Sequence, residues 1–278
     1  MGRAVLYCFL GGTDGANPSG DLIFDRAGSL YGTTQYGGAH TILDLCVPGG
    51  PVTCGTVYEL TPSNGGWTES VLYRFLPEAD GNQPRGGVIF DNAGNLYGTT
   101  AYFFPGDFLG TVFQLTPSGS GWTETILFAF PALQGPYGLI PVAGLIFDNS
   151  GNLYGTTTTD GPGGGGTAFE LTPSGGSWSI SLLYSFTSNN GPYASLLIDA
   201  AGDLYGTTVG DGLYQEGSVF KLTPSSGGYS YTSLHDFTGG NDGGLPYSSL
   251  VMDADGNLYG TTSRGGTNGA GVVFQVSP

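Results

Sequence analysis

The segment LYGTT occurs five times in this chain, with its leucine at Leu30, Leu96, Leu153, Leu204 and Leu258. The spacings are 66, 57, 51 and 54 residues. Self-similarity at such a period allows one supersecondary unit per copy, and it constrains the fold more than any composition does. Four short strand-like runs recur in each unit, separated by turn signals. The first follows a proline and ends in Asp: PSGDLIFD at 18–25, PRGGVIFD at 84–91, PVAGLIFD at 141–148, PYASLLID at 192–199 and PYSSLVMD at 246–253. A tight D-x-x-G turn leads into LYGTT, the second run. After a loop that differs in every unit comes the third, GTVYELTP at 55–62 and its counterparts at 110–117, 166–173, 217–224 and 271–278. The fourth reads WTESVLYRF at 67–75 and recurs at 122–130, 178–186 and 229–237.

The fifth copy of the fourth run is missing after 278, and a matching segment, AVLYCF, stands at 4–9. Units of four strands whose two ends complement each other predict an all-β fold, a five-bladed β-propeller of four-stranded antiparallel blades. In this reading residues 4–9 close the ring by completing the last blade. The single domain spans 1–278, with blades at about 18–75, 84–130, 141–186, 192–237 and 246–278 plus 4–9. The 53 glycines supply turns in a packed protein, because 16 Phe and 17 Tyr have no place in a flexible linker.

Acidic residues outnumber basic ones 22 to 6, for a net charge of −16. That charge disfavours nucleic acid and anionic membranes and leaves room for cations or neutral polar ligands such as sugars. No apolar run reaches membrane-spanning length and no signal-peptide pattern opens the chain, so an export signal or anchor either lies outside this sequence or does not exist. Cys46 and Cys54 share one loop, where a disulfide would indicate an oxidising compartment; the alternative is two free thiols. Cys8 has no evident partner.

The pattern LIFDxxGNLYGTT…GTVFxLTPSGxGWTETxLYxF resembles the GloVer tandem-repeat proteins across essentially the whole chain. The resemblance implies an extracellular or cell-surface location and brings no catalytic residue with it. The C-terminal anchor that members often carry is absent from this sequence.

The tight turns vary little between units, whereas the second-to-third loops at 35–54, 101–109, 158–165, 209–216 and 263–270 all differ. Diversity on one face of a regular scaffold marks the binding face. Tyr36, Tyr102, Phe103, Phe104, Phe108, Tyr214 and Arg264 lie in these loops. Arg85, Tyr193 and Tyr247 stand just after the linker proline, in a set with Ser19 and Val142 that should ring the central channel. Aromatic faces beside carboxylates suit sugar rings. Two plainer readings stand beside this one: Phe103, Phe104 and Phe108 plug the channel mouth, and Asp21 pairs with Arg85. Asp14, Asp80 and Asp242 occupy matching linker positions and read as turn formers.

No G-x-S-x-G elbow, phosphate loop or dinucleotide fingerprint in its proper setting is present. His235 takes the place of Tyr7, Tyr73, Phe128 and Tyr184, so it reads as a core substitute, and His40 stands alone in a loop. The DADGN stretch at 253–257 begins like a calcium loop but sits in a turn that its sister units make without the second Asp. Neither metal nor cofactor is expected. The function read from the sequence is a non-catalytic extracellular propeller that binds a glycan or other surface molecule through its variable loops. The alternative is a carbohydrate-active hydrolase or lyase, with Asp21, Asp107, Asp160, Asp211 and Glu216 as candidate carboxylates. A third reading is a self-assembling surface component.

Overall fold

The computed structural model describes residues 4–38, 54–76, 80–102, 108–119, 121–132, 135–188 and 190–278. Every regular element among them is a β-strand, and the strands form five antiparallel sheets, one per repeat. The fold class is the five-bladed β-propeller. The chain parts into two compact units, Met1–Ala132 with blades 1 and 2, and Leu133–Pro278 with blades 3 to 5.

Blade 3 shows the plan. Ile146–Phe147, Leu153–Thr157, Thr167–Ser174 and Ser177–Ser185 pair in sequence order, each antiparallel to the next. The strand formed by each first run is only two residues long, far shorter than the eight-residue run in the sequence, and blade 1 adds a fifth strand, Ala16–Pro18, beside Leu30–Tyr36. In the first unit the reason is visible: a Cβ on Gly20 would meet the Gly87 nitrogen at 2.4 Å, and one on Gly87 the Asp21 oxygen at 2.4 Å. There the starts of the two runs lie backbone to backbone against each other instead of in a sheet.

The third and fourth strands carry a bulge at matching places, between Val57 and Tyr58, Val112 and Phe113, Ala168 and Phe169, and Val219 and Phe220. The extra residue on the fourth strand reverses its alternation. Leu72 and Tyr73 therefore both reach apolar neighbours, although they are adjacent in sequence. Phe75 of blade 1 packs against Phe113 of blade 2 with ring centroids 5.0 Å apart, and both are fully buried. Phe186 repeats this on Phe220, and Phe237 on Phe274. Removing one such ring costs about 3–5 kcal/mol.

Blade 5 has three strands, Val251–Met252, Leu258–Thr261 and Val273–Val276, and residues 4–9, read from the sequence as its fourth, belong to no strand. Those residues do perform the packing task of a fourth strand toward blade 1. Phe9 sits edge-on to Tyr58 at 4.9 Å, over Leu30 and Leu60. Cys54 is half of a disulfide and Cys8 is an exposed free thiol; Cys46 lies outside the described residues.

Candidate functional site

The repeated motif is scaffold. Asp25, Asp91, Asp148, Asp199 and Asp253 each accept backbone N–H bonds from the residues two and four further on. The LYGTT tyrosine donates its hydroxyl to the same carboxylate in every blade. Asp253 of DADGN makes these turn bonds like its sisters. The motif's glycine is a slot for the third-strand ring: a Cβ at Gly155 would stand 2.5 Å from Phe169 Cζ. Its second threonine meets a third-strand hydroxyl, as Thr157 meets Thr167 at 2.9 Å. Each of these side chains is engaged in holding the turn and the strand.

At the other end of the blade the linker comes alongside the second residue after LYGTT, through the bridges Asn82–Tyr102, Leu139–Thr159 and Gly244–Arg264. The linker residue before the proline is left-handed in four blades: Asn17 at φ 56°, Gln83 at 57°, Ile140 at 61° and Leu245 at 53°. Non-glycine residues rarely hold this conformation, and it persists only where surrounding bonds over-determine it. Gln83 N–H donates to the Cys54 carbonyl at 2.7 Å, and its own carbonyl accepts from Ala101 N–H at 3.1 Å. Leu245 is clamped identically between Glu216 and Ser263.

In the first unit this clamp presents a polar cluster. Arg85 Nη2 donates to Gln83 Oε1 at 2.9 Å. The Gln35 amide has two orientations: in one its Nε2 donates to Gln83 Oε1 at 3.2 Å, and in the other, which suits the guanidinium, its oxygen accepts from Nε at 2.8 Å and Nη2 at 3.0 Å, and from the Tyr36 hydroxyl at 3.1 Å. The Arg85 guanidinium lies 5.8 Å from the centre of the Tyr102 ring. Tyr36, Arg85 and Tyr102 are each half-buried. The pairing of Asp21 with Arg85 does not occur among the described residues: Arg85 is held by neutral amides, and Asp21 is exposed. Sequence reasoning named Arg85, Tyr36 and Tyr102 but missed Gln35 and Gln83. The signal for Gln83 was its place before the linker proline, matched by Asn17, Ile140 and Leu245.

In the second unit the equivalent positions do something else. Arg264 makes a bidentate ion pair with Glu216, from the blade 5 loop to the blade 4 loop. The pair holds Glu216 ionised beside a cation, which suits a structural counter-ion and does not suit a general acid. It equally occupies Arg264, read from the sequence as a ligand contact. Tyr193 and Tyr247 pack edge to face at 5.6 Å, and Tyr247 and Tyr214 are about half exposed. Asp211 accepts from Thr187 and from Gly212 N–H, which ties two loops together. Asp160 is exposed at a left-handed turn with φ 63°.

Phe103, Phe104 and Asp107 lie outside the described residues, as do Asp44 and His40. Phe108 opens the third strand of blade 2 and so stands in the sheet rather than at a loop tip, which corrects its placement in the loop. Asp14, Asp80 and Asp242 do form turns, accepting from Leu10, Leu76 and Thr238 N–H. Each also accepts from the aromatic residue seven positions earlier, Tyr7, Tyr73 or His235. His235 thus replaces tyrosine as a hydrogen-bonding ring packed on Phe237.

The strongly perturbed carboxyls were not foreseen. Glu69 and Glu124 each have a buried Oε1 without a partner. Burial, and then the nearby Asp80, push the Glu124 carboxyl up to about 8. Burial raises Asp80 to about 6 against the donors that favour its charge. Burial and Asp14 raise Glu69, with Arg74 opposing. Two concavities lie away from the Arg85 cluster. One of about 520 Å³ runs between the Phe24–Arg26 and Phe90–Gly94 turns, and one of about 340 Å³ follows the edge strand of blade 5.

The sequence matches the Gloeobacter/Verrucomicrobia repeat over residues 2–130 and again over 107–278. The chain belongs to that repeat family. Solved structures similar to it include a gluconolactonase from Xanthomonas campestris (16% identity, TM-score 0.51, covering 92% of this chain and 71% of that one). Another is the PQQ-bound aldose sugar dehydrogenase of Streptomyces coelicolor (13%, 0.51, 96% and 83%), and a third is a protein of unknown function from Dyadobacter fermentans (14%, 0.51, 95% and 82%). At these identities the likeness establishes the fold alone. No curated protein matches the sequence. No helix among the described residues is long and apolar enough to cross a membrane.

Proposed function

We propose that this protein is a non-catalytic, extracytoplasmic propeller that binds a glycan at the rim where the linkers meet the variable loops. The observation that carries the reading is the Arg85 cluster, in which two amides and the Tyr102 ring surround one guanidinium at a backbone-strained clamp, with the Tyr36 hydroxyl on one of the amides. Amide and hydroxyl groups beside aromatic edges are the chemistry that recognises sugar hydroxyls while a ring lies on an aromatic face. The cluster belongs to the end of the blade where the sequence varies. The disulfide at Cys54 supports an oxidising compartment. That two structural neighbours are named for sugar chemistry agrees with the reading but does not carry it.

The test is calorimetric titration with a panel of neutral and acidic oligosaccharides, comparing the native protein with Tyr102→Ala and Tyr36→Ala. The reading predicts saturable binding that weakens about tenfold or more when a stacking tyrosine is removed. Absence of binding across the panel, or tyrosine variants that bind like the native chain, would overturn it.

A further inference from the structure

We infer that Arg85 is the receptor for the anionic group of an acidic sugar, a carboxylate or a sulfate borne by the glycan; this rests on the glycan-binding reading of the same cluster. In a chain with 22 acidic and 6 basic residues, a basic side chain is expected to find a carboxylate. Lys221 pairs with Asp203, and Arg264 pairs with Glu216. Arg74 donates to the Thr13 carbonyl and feels Glu69, while Arg26 stands exposed on a turn. Arg85 differs from all of these. It is half-buried and oriented, yet its partners among the described residues are neutral.

The amides orient the guanidinium without neutralising it. Their three contacts use the Nε–H and the two hydrogens of Nη2. The two hydrogens of Nη1 have no partner among the described residues, and they point the remaining donor capacity away from the amides. A guanidinium fixed on one edge, with charge and donors left over on the other, is built to take an oxygen of a carboxylate or sulfate. Tyr36 and Tyr102 border the position that the attached sugar would occupy. The net charge of −16 repels a long polyanion, so the fit is to a short ligand that sets one anionic group at this point.

The experiment compares trigalacturonate with its methyl ester, the same sugar without the charge, and sulfated with unsulfated galactobiose. Binding is measured calorimetrically to native protein, Arg85→Gln and Arg85→Lys, with melting curves verifying that each variant is folded. The native protein should prefer the charged member of at least one pair by about 10- to 100-fold. The pair in which this appears identifies the anion as carboxylate or sulfate. Arg85→Gln should abolish the preference, so that charged and uncharged members bind it alike, and Arg85→Lys, which keeps the charge without the fork, should retain part of it. Equal binding of charged and uncharged sugars by the native protein would overturn this inference and leave glycan binding standing. So would a preference that survives in Arg85→Gln. Failure of all four sugars to bind would overturn the underlying function as well.

Discussion

Arg85 in the first unit and Arg264 in the second occupy the same neighbourhood of their blades, where linker and second strand meet, yet they are handled in opposite ways. Arg264 is neutralised by a bidentate carboxylate from the adjacent blade. Arg85 is gripped by two amide oxygens that leave its charge intact. The clamp beneath is the same in both, a left-handed residue before a proline held by two backbone bonds. The difference teaches that the scaffold fixes where a side chain is displayed, while its neighbours decide whether its charge is neutralised or left open. In the second unit the neighbour is Glu216, and in the first it is the pair Gln35 and Gln83.

The sharpest way to erase the contrast is to give Arg85 its own carboxylate. Gln35→Glu should cost about 10- to 100-fold of the preference for charged over uncharged sugar, read by calorimetry, while raising the melting midpoint. The reverse exchange, Glu216→Gln in an Arg85→Gln background, should free Arg264 and restore about tenfold preference for the charged sugar, with some loss of stability. If freeing Arg264 gives nothing, an unpaired guanidinium at this rim is insufficient and the tyrosines of the first unit are required too.

A second contrast concerns acid groups. The first unit holds Glu69 and Glu124 at fourth-strand positions where the second has Ile180 and Tyr231. Glu124 is raised to about 8 from an ordinary 4.5, so the folded state holds its proton more tightly than the unfolded chain. The stability this brings is complete below about pH 4.5 and is lost as pH rises toward 8. Asp80, raised from 3.8 to about 6, acts in the same direction over its lower window. Melting midpoints should therefore fall by a few degrees across that interval, and Glu124→Gln should flatten the slope; an unchanged slope would show that Glu124 is ionised in the fold. The smallest effect expected is that of Asp21→Asn. Because Asp21 does not pair with Arg85, the charged-sugar preference should stay within about twofold of native; a larger rise would reveal a pairing in solution.

Much of this architecture was legible in the repeats. The four runs per unit, the scaffold status of LYGTT and the division between constant turns and variable loops all follow from aligning the chain with itself. What escaped was whatever depends on register between strands. The fourth-strand bulge turns Leu72 and Tyr73 into neighbours of the same core; Glu124, paired with the buried Leu115, sits in a sequence, WTET, that reads as surface alternation. The contact between Glu216 and Arg264 joins residues 48 positions apart, and no local pattern announces it. Arg85 was visible as a breaker of the repeat, but its natural partner in sequence terms was Asp21, the nearest odd carboxylate. Only the geometry of the clamp puts two glutamines there instead.

The central claim, that Arg85 is available to an anion and Arg264 is not, is tested most directly by guanidinium NMR of arginine-labelled protein during titration with trigalacturonate. The account predicts that the Arg85 Nη signals shift and sharpen as sugar is added while those of Arg264 stay in place. Movement of Arg264 with Arg85 unmoved, or of neither while binding is evident by calorimetry, would contradict it.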